Sequence, residues 1–346
     1  MSAIVECVPN ISEGRDRAKI QRIADSVKSV SGVKLLDVDP NADYNRTVIT
    51  YAGEPDACVD ATFQLTRAAY NEIDMRHHQG GHPRMGAVDV APFVPVRDIT
   101  MMDCAELGRR FGRRVGAELG LPVYFYEYAA SRSERTNLAR IRKGEYEGLE
   151  EKLKDPEWVP DAGPAKFIAS FGAVVTGARF FLVAYNVNLK TAEVDLANEI
   201  ALHVREMGWP MTDEQGNELL SATGKKVYRP GPLRSVKGMG VYLEEGDFCQ
   251  VSMNLTNYLV TAPHIAFEQV SLEARTRGVE ILGSEVVGLI PLQALTLAAA
   301  YYVWKDKLPR LSSAEDGVKL VHDRLALSSF RLFDPQTKII EYALNN

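Results

Sequence analysis

The chain has 346 residues, 46% of them hydrophobic and 25% charged, with a formal net charge of -6. That length and apolar content allow two packed α/β domains, and the acidic balance gives no global attraction to nucleic acid or anionic lipid. Cys7, Cys58, Cys104 and Cys249 form no CxxC pair, which argues against a zinc ribbon or a disulfide scaffold and fits a reducing, cytoplasmic setting.

Strands are predicted at Ala3 to Val8, Val33 to Val38, Arg46 to Tyr51, Ala87 to Val96 and Pro122 to Tyr126, each rich in β-branched or aromatic residues. Helices are predicted between most of them. One carries the stripe Ile20, Ile23 and Val27; another starts at Pro55 and carries Val59, Phe63, Thr66, Tyr70 and Ile73. Asp103 is the expected cap of a third, whose apolar stripe is Leu107, Phe111, Val115 and Leu119. Gly108, Gly112 and Gly116 recur every four residues along it and imply close backbone packing. Its Arg109, Arg110, Arg113 and Arg114 read as a solvated face rather than an anion patch.

Residues 129–166 are charged and read as a loop and short-helix connection, closed by Asp161-Ala-Gly-Pro164. A second α/β unit follows. Its predicted strands are Phe180 to Asn188, Val236 to Leu243, Phe248 to Leu255 and Val279 to Ile290. One helix after Thr191 is expected to bury Val194, Ala197, Ala201 and Val204 and to end at Gly208, and another runs from Pro263 to Arg277. Residues 209–233 read as a polar insertion, a lid or more simply a surface loop. The most apolar run, Pro291 to Trp304, is shorter than the ~20 residues of a membrane-spanning helix, and the N-terminus has no signal-peptide pattern. Strand-then-helix segments at Val48 to Ile73 and Val251 to Arg277 echo one another, so each half is expected to be a ferredoxin-like βαβ sandwich.

Chemistry concentrates in residues 74–89, where His77, His78 and His82 stand beside Gly80-Gly81, Pro83 and Arg84. The glycines allow unusual backbone angles and Pro83 fixes the angle after His82, as a general base on a shaped turn requires. His78, His82, His77 and Asp89 also suggest a metal-dependent hydrolase. The glycines and Pro83 work against the continuous helix that would turn two histidines four apart toward one metal. There is no GxxxxGK[ST] phosphate loop and no GxSxG elbow, and Gly238-Met-Gly240 lacks the third glycine of a dinucleotide fingerprint.

Val5-Glu-Cys-Val-Pro-Asn-Ile-Ser-Glu-Gly14, Asn45-Arg-Thr-Val48, Gly81-His-Pro-Arg-Met-Gly86 and Pro92-Phe-Val-Pro-Val96 resemble the glutamate formimidoyltransferase family. The agreement continues in order through Gly144-Glu-Tyr146, Pro156-Glu-Trp158, Gly163-Pro164, Asn186-Val-Asn-Leu189 and Val286-Val-Gly-Leu-Ile-Pro291. The resemblance implies transfer of a formimino group between N-formimino-L-glutamate and N5 of tetrahydrofolate, a step of histidine breakdown. It implies two subdomains, here 1–178 and 179–330 with a tail at 331–346, and folate bound in a groove or tunnel between them. It also implies a cytoplasmic homodimer with tetrahydrofolate as cosubstrate and no metal. A related enzyme acting on 5-formyltetrahydrofolate is the other folate reading. The cyclodeaminase domain fused to this unit in animals is expected to be absent, since the sequence runs to Asn346.

By the same resemblance, the family's proton donor and acceptor falls on His82. Its folate-contacting stretch falls on Gly163, Pro164, Ala165, Lys166, Phe167, Ile168, Ala169, Ser170, Phe171 and Gly172. Phe167 and Phe171 are expected to offer ring faces to the pterin or benzoyl group and Lys166 to meet the anionic tail. Asp39 and Arg84 are the expected substrate-binding pair, with Arg46 a second candidate for a carboxylate. Some members carry an acidic residue where this chain has Gly81.

Overall fold

The computed structural model describes residues 3–42 and 44–345, packed as two compact units that divide between Phe180 and Phe181. The first unit runs β1 (Ile4–Cys7), β2 (Asn10–Ile11), α1 (Arg17–Asp25), β3 (Val33–Asn41), β4 (Arg46–Gly53), α2 (Pro55–Glu72) and β5 (Val88–Arg97). β1 and β2 are successive pieces of one line, interrupted at Val8 and Pro9, and both pair with β4 on one side and β5 on the other. β3 lies outside β4. Taking β1 and β2 as one strand, the chain order is β-α-β-β-α-β, with the second, third, first and fourth strands side by side and antiparallel. This is the ferredoxin-like arrangement.

The unit then adds α3 (Met101–Glu118), β6 (Val123–Glu127), the short helices α4 (Leu138–Arg142) and α5 (Leu149–Lys152), and β7 (Val174–Ala178). β7 lies parallel between β5 and β6. The sequence reading missed β7 because its five residues are all buried. A parallel strand covered on both faces shows no alternation to detect. One core holds the helix-facing residues, among them Ile23, Phe63, Phe93, Phe111 and Val115; a smaller one joins Val90, Tyr124, Tyr126 and Val175 to Ile141 of α4 and Leu149 of α5.

Helix α3 is capped by Thr100 rather than by Asp103. The Thr100 hydroxyl accepts from the Asp103 N–H at 3.1 Å and the Asp103 carboxylate accepts from the Thr100 N–H at 3.1 Å, a reciprocal capping box. Its glycine row packs as expected: an added Cβ would stand 3.1 Å from Gly177 Cα at Gly108, 2.5 Å from a Phe125 ring carbon at Gly112 and 2.4 Å from Gly163 N at Gly116. Its arginines meet Glu106, Asp56, Asp60 and Glu118 in largely exposed ion pairs, the solvated face expected.

The second unit runs β8 (Val183–Leu189), α6 (Val194–Val204), a ribbon of β9 (Trp209–Pro210) and β10 (Tyr228–Arg229), β11 (Val236–Leu243), β12 (Phe248–Leu255), α7 (Pro263–Thr276) and β13 (Ile281–Val287). Its sheet is β11-β12-β8-β13, antiparallel throughout, which repeats the strand order of the first unit. The faint sequence echo is therefore a shared topology. Two sequence expectations fail on α6. Val194 opens the helix and is 41% exposed, and the helix stops before Gly208, whose positive φ of 72° serves the junction to the ribbon. Four helices follow: α8 (Leu292–Lys305), α9 (Ala314–Leu325), α10 (Pro335–Lys338) and α11 (Ile340–Asn345). The expected tail is packed, with Ile339 and Ile340 fully buried and the Ile340 N–H bonded to Ile290 O. Among the described residues no helix is long and apolar enough to cross a membrane.

Backbone atoms surround the Gly116 position, so its neighbours cannot swing aside. Gly116→Ala is expected to destabilise the chain by about 1 to 3 kcal/mol, the usual cost of overpacking. A fall in the urea midpoint with unchanged m-value is the readout; an unshifted midpoint contradicts the close packing.

Candidate active site

The histidine loop, residues 77–84, is tied to the β3–β4 turn by Asn45. Asn45 sits in the left-handed region at φ 47° and is buried. Its Oδ1 accepts from Gly14 N at 2.9 Å and its Nδ2 donates to Gln79 O at 3.0 Å. Its own carbonyl lies 2.9 Å from His78 Nε2. Arg84 Nε donates to His78 Nδ1 at 3.2 Å, so the His78 proton belongs on Nε2, facing the Asn45 carbonyl. Burial, and the neighbouring Arg84, hold His78 below the ordinary histidine range. Both of its nitrogens serve the loop.

His82 differs. Its Nδ1 lies 2.8 Å from Pro83 O, and a carbonyl only accepts, so Nδ1 carries the proton and Nε2 keeps the lone pair. The exposed Tyr44 ring packs against it in a T-shaped arrangement, ring centroids 5.8 Å apart. Half-burial lowers the His82 pKa, and Arg46 and Arg142 push it the same way. The ring is thus neutral near pH 7, with a bare nitrogen, as a general base requires.

The charges beside it form a triad. Asp89, on β5, is fully buried. Its Oδ1 accepts from Met85 N at 3.0 Å and Arg142 Nε at 3.2 Å, and its Oδ2 accepts from Arg46 Nη1 at 2.7 Å and from Arg142 Nη2. Burial raises the Asp89 pKa, but the two guanidinium groups outweigh it and hold the carboxyl ionised. Arg46 also donates to Asn10 Oδ1 at 3.1 Å. Arg142 escaped the sequence reading because α4 lies in a charged connection where arginine is the rule; only its place beside the buried Ile141 hints at an inward turn.

Arg84 was expected to hold a substrate carboxylate. In the structure it is 7% exposed and its partners are the chain's own: Glu145 at 2.9 Å and Glu147 through both terminal nitrogens. A guanidinium engaged on two carboxylates and His78 has no open fork left for a third. These residues line an open depression of about 490 Å³ with Gln79, Gly80 and Gly144. Asp39 stands exposed on β3, opposite Val48 of β4.

The metal reading loses its ligands to this geometry. His78 and Asp89 have their donor atoms occupied, and His77 is 82% exposed and 3.9 Å from Asp74. Among the described residues no group of three His, Cys, Asp or Glu is placed to hold a metal ion.

Residues 163–172 form a loop whose start is exposed and whose end runs beside the histidine motif. Ala87 N donates to Phe171 O at 2.7 Å and Ala173 N to Met85 O at 3.0 Å. Phe171 is fully buried against Tyr70, so it has no face to offer a ligand, contrary to expectation. Phe167 is only partly buried, against Tyr146 at 5.4 Å, and Lys166 is exposed.

Neither Gly80 nor Gly81 has the positive φ that the sequence suggested. Gly80 is required for space: a Cβ there would stand 2.2 Å from Tyr44 O, whereas one on Gly81 would meet only a Tyr44 ring carbon at 4.0 Å. Gly80→Ala is therefore expected to displace the loop and cost about 1 to 3 kcal/mol, while Gly81→Ala stays within about 0.5 kcal/mol of wild type. Paired denaturation curves check this, and equal effects would contradict it.

The chain is similar to known proteins over nearly its whole length. The model of the "Formiminotransferase domain, N-terminal subdomain" matches residues 4–179 and that of the "Formiminotransferase domain" residues 184–345. A formimidoyltransferase-cyclodeaminase of Dictyostelium discoideum is 48% identical over 342 residues, 99% of this chain and 60% of that protein. The chain thus spans about 60% of the length of this relative and of its rat counterpart, which is 46% identical. A glutamate formimidoyltransferase of Streptococcus pyogenes serotype M1 is 42% identical over 88% of this chain and 94% of its own length. One of Thermoplasma acidophilum is 44% identical over 87% and 92%. The two domain matches and these identities place the chain in the formiminotransferase family.

Proposed function

We propose that the chain transfers the formimino group of N-formimino-L-glutamate to N5 of tetrahydrofolate, the cosubstrate, giving 5-formiminotetrahydrofolate and L-glutamate. The observation that carries this reading is the His82 imidazole, neutral and with its Nε2 lone pair free of the Pro83 hydrogen bond. The two prokaryotic relatives named as glutamate formimidoyltransferases support the substrate assignment.

N5 attacks the amidine carbon and a C–N bond forms. His82 Nε2 takes the N5 proton and then delivers it to the glutamate nitrogen as the old C–N bond breaks. The donor amidine carries positive charge when protonated, so the step needs a positioned base more than an oxyanion hole. Holding both small molecules in register adds a proximity contribution.

In this reading the 163–172 loop contacts the folate through its accessible residues, with Phe167 supplying the ring face and Lys166 the cation, while buried Phe171 only supports it. Asp39 accepts from a donor edge of the pterin or amidine. Arg84 acts as a positioning residue that fixes His78 and the loop. The cytoplasmic homodimer suggested by family resemblance belongs to the same proposal.

Replacing His82 with Ala is expected to lower kcat for formimino transfer by about a hundred to ten thousandfold. Full turnover by a folded His82→Ala protein would remove His82 from the mechanism. Protonation of His82 destroys the base, and its pKa is lowered. The acid limb of kcat/KM should therefore fall below the ordinary value of about 6.5, with activity retained as pH rises through neutrality. A limb above that value contradicts the lowered pKa.

A further inference from the structure

We infer that Arg46 and Arg142 together form the seat for the α-carboxylate of the formimino donor, an assignment that rests on the transfer reaction proposed above. The triad they form with Asp89 is electrically unfinished: two guanidinium cations share one carboxylate. Asp89 has no acceptor capacity left, since Met85 N, Arg46 Nη1, Arg142 Nε and Arg142 Nη2 already point to its two oxygens.

The guanidinium groups are not saturated. Each carries five N–H donors; Arg46 directs Nε to Asn10 and Nη1 to Asp89, and Arg142 directs Nε and Nη2 to Asp89. The Nη2 group of Arg46 and the Nη1 group of Arg142 have no acceptor among the described residues. Both side chains keep part of their surface open, 13% and 15%. Two spare cationic donor groups, an excess positive charge and a partly dry setting are what a carboxylate fills.

Position selects which carboxylate. The carboxylate that Arg46 and Arg142 share accepts from the backbone N–H of Met85 at 3.0 Å, in the same turn as His82, the group that must stand beside the breaking C–N bond. Both guanidinium groups act on that imidazole electrostatically. In the donor, the α-carboxylate carbon is two bonds from the leaving nitrogen. The glutamyl tail of the folate lies beyond the aminobenzoyl ring, far from N5. A cationic pair near the proton-transfer group therefore fits the donor's α-carboxylate. Of the two arginines that the sequence offers for a carboxylate, Arg84 is occupied by Glu145 and Glu147, whereas Arg46 keeps a donor group to spare.

The test uses the full chain. Initial rates are measured at saturating tetrahydrofolate with N-formimino-L-glutamate and with its α-carboxamide, for wild type, Arg142→Gln and Arg142→Lys. On wild type the carboxamide is expected to show a KM roughly 10- to 100-fold above that of the acid, the worth of one charged hydrogen bond. Arg142→Gln should raise the acid's KM by a similar factor and leave those of the carboxamide and tetrahydrofolate within about twofold. Arg142→Lys, which keeps the charge, should recover part of the loss.

Equal KM values for acid and carboxamide on wild type would overturn the assignment, and that comparison needs no variant to fold. A rise confined to tetrahydrofolate would also overturn it, by giving the pair to the folate tail. An equal rise for acid and carboxamide would mean a structural role only. If wild type transfers nothing from any donor, the proposed function fails instead. Calorimetric binding of the acid against the carboxamide then reads the seat directly, and absence of any preference for the acid overturns it.

Discussion

A fully buried carboxylate, Asp89, organises the first unit. Left alone at that depth it would cost several kcal/mol or take up a proton. It is compensated by a guanidinium from β4, another from α4 and a backbone N–H just ahead of β5. Three separate stretches of chain are pinned at one point. The compensation overshoots by one positive charge, and that surplus, next to half-buried His82, opposes protonation of its ring. The same ionic contact thus pins the fold and adds to the burial that is the larger reason His82 stays unprotonated.

The three histidines of that loop divide the work by surroundings. His77 is in solvent, His78 has a donor and an acceptor on its two nitrogens, and only His82 combines burial, a fixed tautomer and an open nitrogen. Asn45 makes this division possible, because its left-handed backbone and its contacts to Gln79 O and His78 Nε2 lock the β3–β4 turn to the loop, while its Oδ1 holds Gly14 N. The chain's own Glu145 and Glu147 then complete the wall through Arg84. Loop precision here comes from polar contacts rather than from regular structure, in keeping with functional groups carried on loops above a rigid sheet.

The strands with alternating or β-branched runs and the helices with three- and four-residue stripes were legible in the sequence. β11 and β12 coincide with the predicted bounds, and α2 starts at Pro55 as expected. β7 was not legible, since a strand buried on both faces has no period to read. The α3 cap was misassigned because Thr100 and Asp103 share one reciprocal box, in which either residue looks like the cap from sequence alone. At the site, His82 stands out by its company of glycines and proline, but those glycines do not adopt the unusual backbone angles that their sequence suggests. Gly80 is there for room against Tyr44 O, not for a positive φ.

The sequence by itself determined what local physics encodes: the periodicity of both α/β units, the glycine row of α3, the solvated arginine face and a histidine-bearing turn suited to proton transfer. Which charges meet was decided only by tertiary structure. Arg84, Arg46 and Arg142 are chemically alike, and nothing along the chain says that the first faces Glu145 and Glu147 while the other two converge on Asp89. Ion pairing depends on which side chains the sheet and its crossing loops bring within a few ångströms. Partners 43 and 53 residues apart in sequence carry no local signature of that encounter.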